Sequence, residues 1–156
     1  FEDIKTGLAF TSKLRDYPVD LNKIVIAGHS AGGHLALLAS GEFQNLKAVV
    51  GLAAITDIVT YSQGTNSCQK ATLEFMSGDY KANPEAYQLA NPVNKKLHPN
   101  TILLHGDIDA IVPVRQATLL ETNSDVLEGA GHFDWVHPGT PAFQRFLSTL
   151  DKELEQ

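Results

Sequence analysis

Apolar residues recur along this chain with two different periods, and the switches between them mark out its elements. Phe1, Ile4, Leu8 and Leu14, with Thr11 filling the gap, fall at helical spacing and predict an amphipathic helix over about residues 2–15, stopped by Pro18. Residues 16–22 read as a short loop in which Asp20 makes a local turn contact. The β-branched run Lys23-Ile24-Val25-Ile26-Ala27 predicts a strand, and a tight turn through Gly28-His29-Ser30-Ala31-Gly32 leads into a helix over about 31–40. Leu35, Leu37 and Leu38 give that helix its buried face, and Gly41 reads as its left-handed terminator. The nearly continuous apolar run 46–54 suits a strand buried on both faces.

From about 56 to 100 the pattern loosens. A polar turn cluster at 62–67, a short helix over 71–77 and a Pro-started helical turn at 83–87 make a loop-rich insertion, the kind that covers a site or a sheet edge. Regular elements then return: a buried strand at 101–105, a short helix over 113–121, a last strand at 125–128 and a terminal amphipathic helix over 140–154. Strands alternating with helices predict an α/β fold, a parallel sheet of about four strands flanked by helices, as a single domain over 1–156.

Composition narrows the partners. At 156 residues and 43% hydrophobic the chain can build one real core, and a net charge of −6 without a basic cluster gives no reason to expect nucleic acid or an anionic membrane surface. No apolar run reaches the roughly 20 residues of a membrane span. Cys68 is the single cysteine, which excludes an internal disulfide and a cysteine-based zinc site and fits a reducing compartment such as the cytoplasm. Six histidines and many acids raise a metal reading, yet no H-E-x-x-H or comparable ligand spacing occurs, so no metal and no cofactor is expected.

In a parallel sheet, reactive groups gather in the loops at the carboxyl ends of the strands. Ser30 sits at the apex of a G-x-S-x-G turn between a strand and a helix, where the helix N-terminus favours developing negative charge. Gly28 and Gly32 read as positions where a side chain would clash, and Gly33 as the residue that lets the helix lie close to the sheet. A serine hydroxyl needs a histidine to take its proton, and that histidine needs a carboxylate to fix its tautomer. The stretch His105-Gly106-Asp107-Ile108-Asp109 supplies two aspartates, and Gly129-Ala130-Gly131-His132-Phe133 supplies the histidine. The order Ser, Asp, His is that of the α/β-hydrolase arrangement.

On "GHSAGGH", "NPEAYQLANP", "HGDIDAIVPV" and "GAGHFDWV", in that order, the chain resembles the carboxyl-terminal portion of an α/β-hydrolase of the broad esterase group. The resemblance implies a serine hydrolase cleaving small carboxylic esters: Ser30 as nucleophile, Asp109 as acid, His132 as base and the Ala31 N–H as one oxyanion donor. Short-chain acyl esters come first among the implied substrates, with sugar acetates, aryl formamides and peptides as neighbours. Such hydrolases have several strands before the elbow and a His-Gly-Gly-like loop that donates the second oxyanion hydrogen bond; this sequence has neither. Loss of one such donor costs roughly 10²- to 10³-fold in rate. The departure implies a longer native protein, favoured by the opening Phe1, or a reduced hydrolase that covers an open sheet edge by forming a homodimer. A catalytically silent interaction module is the contrasting expectation.

The other candidates have structural readings beside the chemical ones. Asp107 is an alternative acid or a loop cap, and Asp134 a loop or helix cap. His105 reads as a hydrogen-bonded structural residue, His34 as solvated or structural, His98 and His137 as surface residues. His29 either touches substrate or packs beneath the elbow, and Phe133, Trp135 and Tyr61 either line an acyl pocket or fill the core.

Overall fold

The computed structural model describes residues 1–43 and 45–155. Four strands, β1 (Ile24–His29), β2 (Leu46–Leu52), β3 (Thr101–Gly106) and β4 (Asn123–Leu127), pair in parallel, and their spatial order is their chain order. Helices α1 (Glu2–Thr11), α2 (Ala31–Ser40), α3 (Ile58–Tyr61), α4 (Ser67–Phe75), α5 (Pro84–Leu89) and α6 (Pro141–Glu155) accompany them, so the α/β expectation holds.

The apolar run of β2 is buried from Ala48 to Leu52 because helices cover both faces of the sheet. Successive strand residues point to opposite faces. Val49 and Leu103 therefore pack with Ala36 and Leu37 of α2, while Val50, Leu52 and Leu104 pack with Trp135 and Ala142 and, less deeply, with Phe146 and Leu150 of α6. Each of the fully buried Val and Leu side chains contributes about 1.5–3 kcal/mol. The face of α2 turned to the sheet is made mainly of small residues, Gly33, Ala36 and Ala39 around Leu37, with Leu35 and Leu38 only half-buried. Closeness is the reason: a Cβ on Gly33 would stand 2.6 Å from the Ala54 Cβ.

Three local expectations are corrected. The first helix ends at Thr11, followed by a 3-10 turn over Leu14–Asp16. The hydroxyls of Thr11 and Ser12 donate to the carbonyls of Leu8 and Ala9, taking acceptors that a further turn of helix would need. Its apolar stripe is only partly covered: Phe1 and Ile4 are exposed, and Leu8 and Leu14 are half-buried. Gly41 is right-handed, with φ −73° and ψ −16°; glycine is needed there because a Cβ would lie 2.4 Å from the Lys96 carbonyl oxygen. The predicted helix over 113–121 is only a 3-10 segment, Val114–Thr118.

The insertion is more ordered than its composition foretells. Asn66 and Gln69 form a reciprocal capping box that starts α4 four residues earlier than expected. Ile55, Ile58, Tyr61, Met76, Tyr87 and Val112 make a third apolar cluster, which anchors the insertion to the loop after β3. Gln116, fully buried, knits the same junction: its Oε1 accepts from the amides of Thr56 and Asp57, both at 2.8 Å.

Candidate active site

Ser30 ends β1 and caps the start of α2 with φ 55° and ψ −119°, a conformation that costs a non-glycine residue about 1–3 kcal/mol. A ladder of backbone bonds holds it there. The Ser30 amide donates to the Leu52 carbonyl at 2.8 Å, and Ala53, itself at φ 47°, donates to Leu104 at 2.8 Å. Gly28 lets the turn close, since a Cβ on it would lie 2.2 Å from the Gly32 carbonyl oxygen. Gly32 itself faces open space, which corrects the expectation that a side chain there would clash. Serine at this helix position commonly caps with its hydroxyl, but the Ser30 side chain makes no capping bond. Its Oγ is left for other work, beside an exposed Ala31 whose N–H lies in the first turn of α2.

Asp109 and His132, the candidate acid and base, lie side by side. His132 Nδ1 lies 2.7 Å from Asp109 Oδ2, and both residues are buried. Asp109 Oδ1 accepts from the amides of Ile111 and Val112, each at 2.8 Å. Burial opposes ionisation of this carboxyl, but the bonds from His132, Val112 and Ile111 outweigh it and hold its pKa below the ordinary 3.8. An ionised carboxylate can only accept, so the shared hydrogen is on His132 Nδ1, which leaves Nε2 as the acceptor nitrogen of the neutral ring.

Asp107, the alternative acid, is turned elsewhere: its Oδ1 accepts from the Gly129 amide at 2.7 Å. It thereby staples the loop after β3 to the loop after β4. The two loops also touch where a Cβ on Gly106 would stand 2.0 Å from the Ala130 carbonyl oxygen. Asp134 caps the base loop through the Gly131 amide at 2.7 Å.

Of the remaining histidines, His105 is buried, bonds the Val112 carbonyl through Nε2 at 2.9 Å and stands 3.5 Å from Asp109 Oδ2. His34 bonds the Ile55 carbonyl through Nδ1 at 3.0 Å. Burial lowers the pKa of both below 6.5, so both are neutral structural residues at pH 7. His29 Nε2 meets the His132 carbonyl oxygen at 2.8 Å, a contact no local pattern announces. Phe133 is 63% exposed, with its ring edge-on to His132 at 5.0 Å between centroids. Trp135 and Tyr61 are core residues; burial, with the Cys68 and Asp109 charges, pushes the Tyr61 phenol up to about 12. Among the described residues no group of three or more histidine, cysteine or acidic side chains is placed to hold a metal, and no helix is long and apolar enough to cross a membrane.

Comparison with known proteins agrees with this architecture. Esterase LipC of Mycobacterium tuberculosis (strain ATCC 25618 / H37Rv) is 28% identical over 189 residues, covering 99% of this chain and 47% of LipC. The probable carboxylic ester hydrolase LipM of the same organism is 31% identical over 133 residues, covering 74% of this chain and 31% of LipM. The chain thus spans about half of one curated relative and under a third of the other. Porphyromonas gingivalis dipeptidyl peptidase 4 superposes with a TM-score of 0.76 at 18% identity, over 97% of this chain and 22% of that one, a likeness of fold. The BD-FAE family model matches residues 1–123, a span that holds both Ser30 and Asp109. Matched over more than half its length by that model, and folded as an esterase-like α/β-hydrolase, the chain belongs to the BD-FAE family.

Proposed function

We propose that this chain carries a serine carboxylesterase site that cleaves small carboxylic esters, within a single catalytic domain whose segment 56–100 is an insertion. The observation that carries the reading is the buried Asp109–His132 pair, 2.7 Å apart, at the same carboxyl end of the sheet as a strained serine whose hydroxyl leaves the helix end uncapped. The curated relatives named as esterase and carboxylic ester hydrolase support ester chemistry.

In the proposed reaction Ser30 Oγ adds to the ester carbonyl carbon while its proton passes to His132 Nε2. The carbonyl π electrons move onto oxygen, where the Ala31 N–H donates to the oxyanion. Collapse of the adduct expels the alcohol, which takes the proton from His132 and leaves Ser30 acylated. Water then repeats the sequence, its proton going to Nε2 and on to Ser30 Oγ as the acid departs. Asp109 keeps the Nδ1–H tautomer and stabilises the imidazolium formed at each step. Phe133, open to solvent beside His132, offers an apolar surface to the group leaving or entering there.

The test is mass spectrometry after exposure to a fluorophosphonate, beside hydrolysis of p-nitrophenyl acetate. Single labelling at Ser30, absent in Ser30→Ala, together with turnover is expected. A folded chain that neither labels nor turns over ester would favour a silent interaction module instead.

A further inference from the structure

The strand that presents Ser30 and the strand that leads to His132 stand at opposite ends of the order β1-β2-β3-β4, with β2 and β3 between them. The base loop must therefore reach across the sheet's carboxyl ends to meet the nucleophile. Apart from its own cap, Asp134 on the Gly131 amide, its other ties run to the β3 side: Asp107 takes the Gly129 amide, Ile108 N–H donates to the Ala130 carbonyl, and Asp109 takes His132 Nδ1. Those bonds fix one flank of the imidazole and leave it a hinge about the Asp109 contact. On the opposite flank stands His29, the residue just before the nucleophile. Its Nε2 donates to the His132 carbonyl at 2.8 Å across 103 positions of chain, and the two rings lie 4.5 Å apart at 50°. A carbonyl only accepts, so the hydrogen is on Nε2 of His29.

We propose that His29 is a positioning residue, a clamp that ties the base loop to the nucleophile elbow and holds His132 Nε2 toward Ser30. The inference rests on the serine-hydrolase reading above. Unclamped, the His132 ring keeps its bond to Asp109 but loses its alignment with the serine, and a misplacement of about 1 Å costs on the order of 10²-fold in rate. The loss falls on proton transfer and not on substrate binding.

Three variants separate this role from others. His29→Leu keeps apolar bulk without a donor; His29→Asn is polar, but its amide reaches only the Nδ1 position; His29→Gln places an amide N–H near the Nε2 position. With p-nitrophenyl acetate, Leu and Asn should lower kcat by about 10²-fold at unchanged KM, and Gln should recover most of it. Fluorophosphonate labelling of Ser30 should slow by the same factors. A raised KM with unchanged kcat would assign His29 to substrate contact and overturn the clamp, as would wild-type rates in His29→Leu or a His29→Gln variant as slow as His29→Asn. If His29→Leu does not fold, the Asn and Gln pair carries the comparison. Wild-type protein that fails to label at Ser30 would sink the serine-hydrolase reading itself, whereas wild-type labelling with no difference among variants would sink only the clamp.

Discussion

The turn at Ser30 is built from the contiguous β1–turn–α2 segment and braced by the neighbouring β2, whereas the Asp109–His132 pair joins two loops that neighbouring strands launch independently. The elbow is fixed largely by steric closeness, Gly28 against the Gly32 carbonyl and Gly33 against Ala54, with one backbone bond from Ser30 to Leu52 holding the serine at positive φ. The pair is fixed by hydrogen bonds from several directions: two amides on one carboxylate oxygen, an imidazole on the other, and His29 on the far side. Sterically built geometry is stiff and stores strain. Geometry built from hydrogen bonds is directional and sensitive to protonation.

The contrast can be tested most severely at Ser30. Ser30→Gly should lower turnover by at least about 10⁴-fold while raising stability by about 1 kcal/mol, because glycine tolerates φ 55°. Calorimetry showing a less stable variant would break the claim that the elbow is strained. Next comes the pair of acids. Asp109→Asn should cost on the order of 10⁴-fold in kcat through the wrong His132 tautomer. Asp107→Asn, whose oxygen still accepts from Gly129, should stay within about threefold, since a neutral acceptor keeps that bond. Comparable losses in the two would show that the staple and the acid cannot be told apart.

A smaller, global effect follows from acidification. His29, His34 and His105 have pKa values below 6.5, chiefly because burial disfavours the imidazolium. Below about 6.5 the unfolded chain takes up protons that the native one refuses, so their contribution is complete above that value and is lost as pH falls beneath it. The Asp109 carboxyl, held below 3.8, adds its loss only at stronger acidity. Thermal unfolding should therefore give a Tm that declines steadily from about pH 7.5 to pH 5, and a flat profile would contradict the native neutrality of these rings. The smallest effect is expected at Gly32, which faces open space in the first turn of α2. Gly32→Ala should stabilise by about 0.5–1 kcal/mol in denaturant unfolding, where the same change at Gly28 should destabilise by about 1–3 kcal/mol.

The chain declares its sterically organised half more openly than the other. Short apolar runs of strand length, β-branched in β1, identify β1, β2 and β3, and the burial of β2 and β3 fits a sheet covered on both faces. The G-x-S-x-G turn marks Ser30, and its neighbours give it away since strand, turn and helix are local. Asp107 and Asp109 are both visible as candidates, but only the fold tells which meets His132 and which meets the Gly129 amide. The end of α1 escaped the apolar spacing because two hydroxyls turn inward on its last carbonyls. Gly41 was read for its backbone freedom when its lack of a side chain is what the Lys96 carbonyl requires. The bond from His29 to a carbonyl 103 residues away has no local signature at all. The N-x-x-Q spacing of Asn66 and Gln69, by contrast, was a readable capping signal.

Because the strands lie in space as they lie in the chain, each new strand made during synthesis finds its partner already in place. Within this span the elbow is made first, with β1 and α2. The carboxylate follows with the third strand, and the imidazole comes only after the fourth. On the proposed reading, the Ser30 hydroxyl therefore meets its base only after all four of these strands have been made.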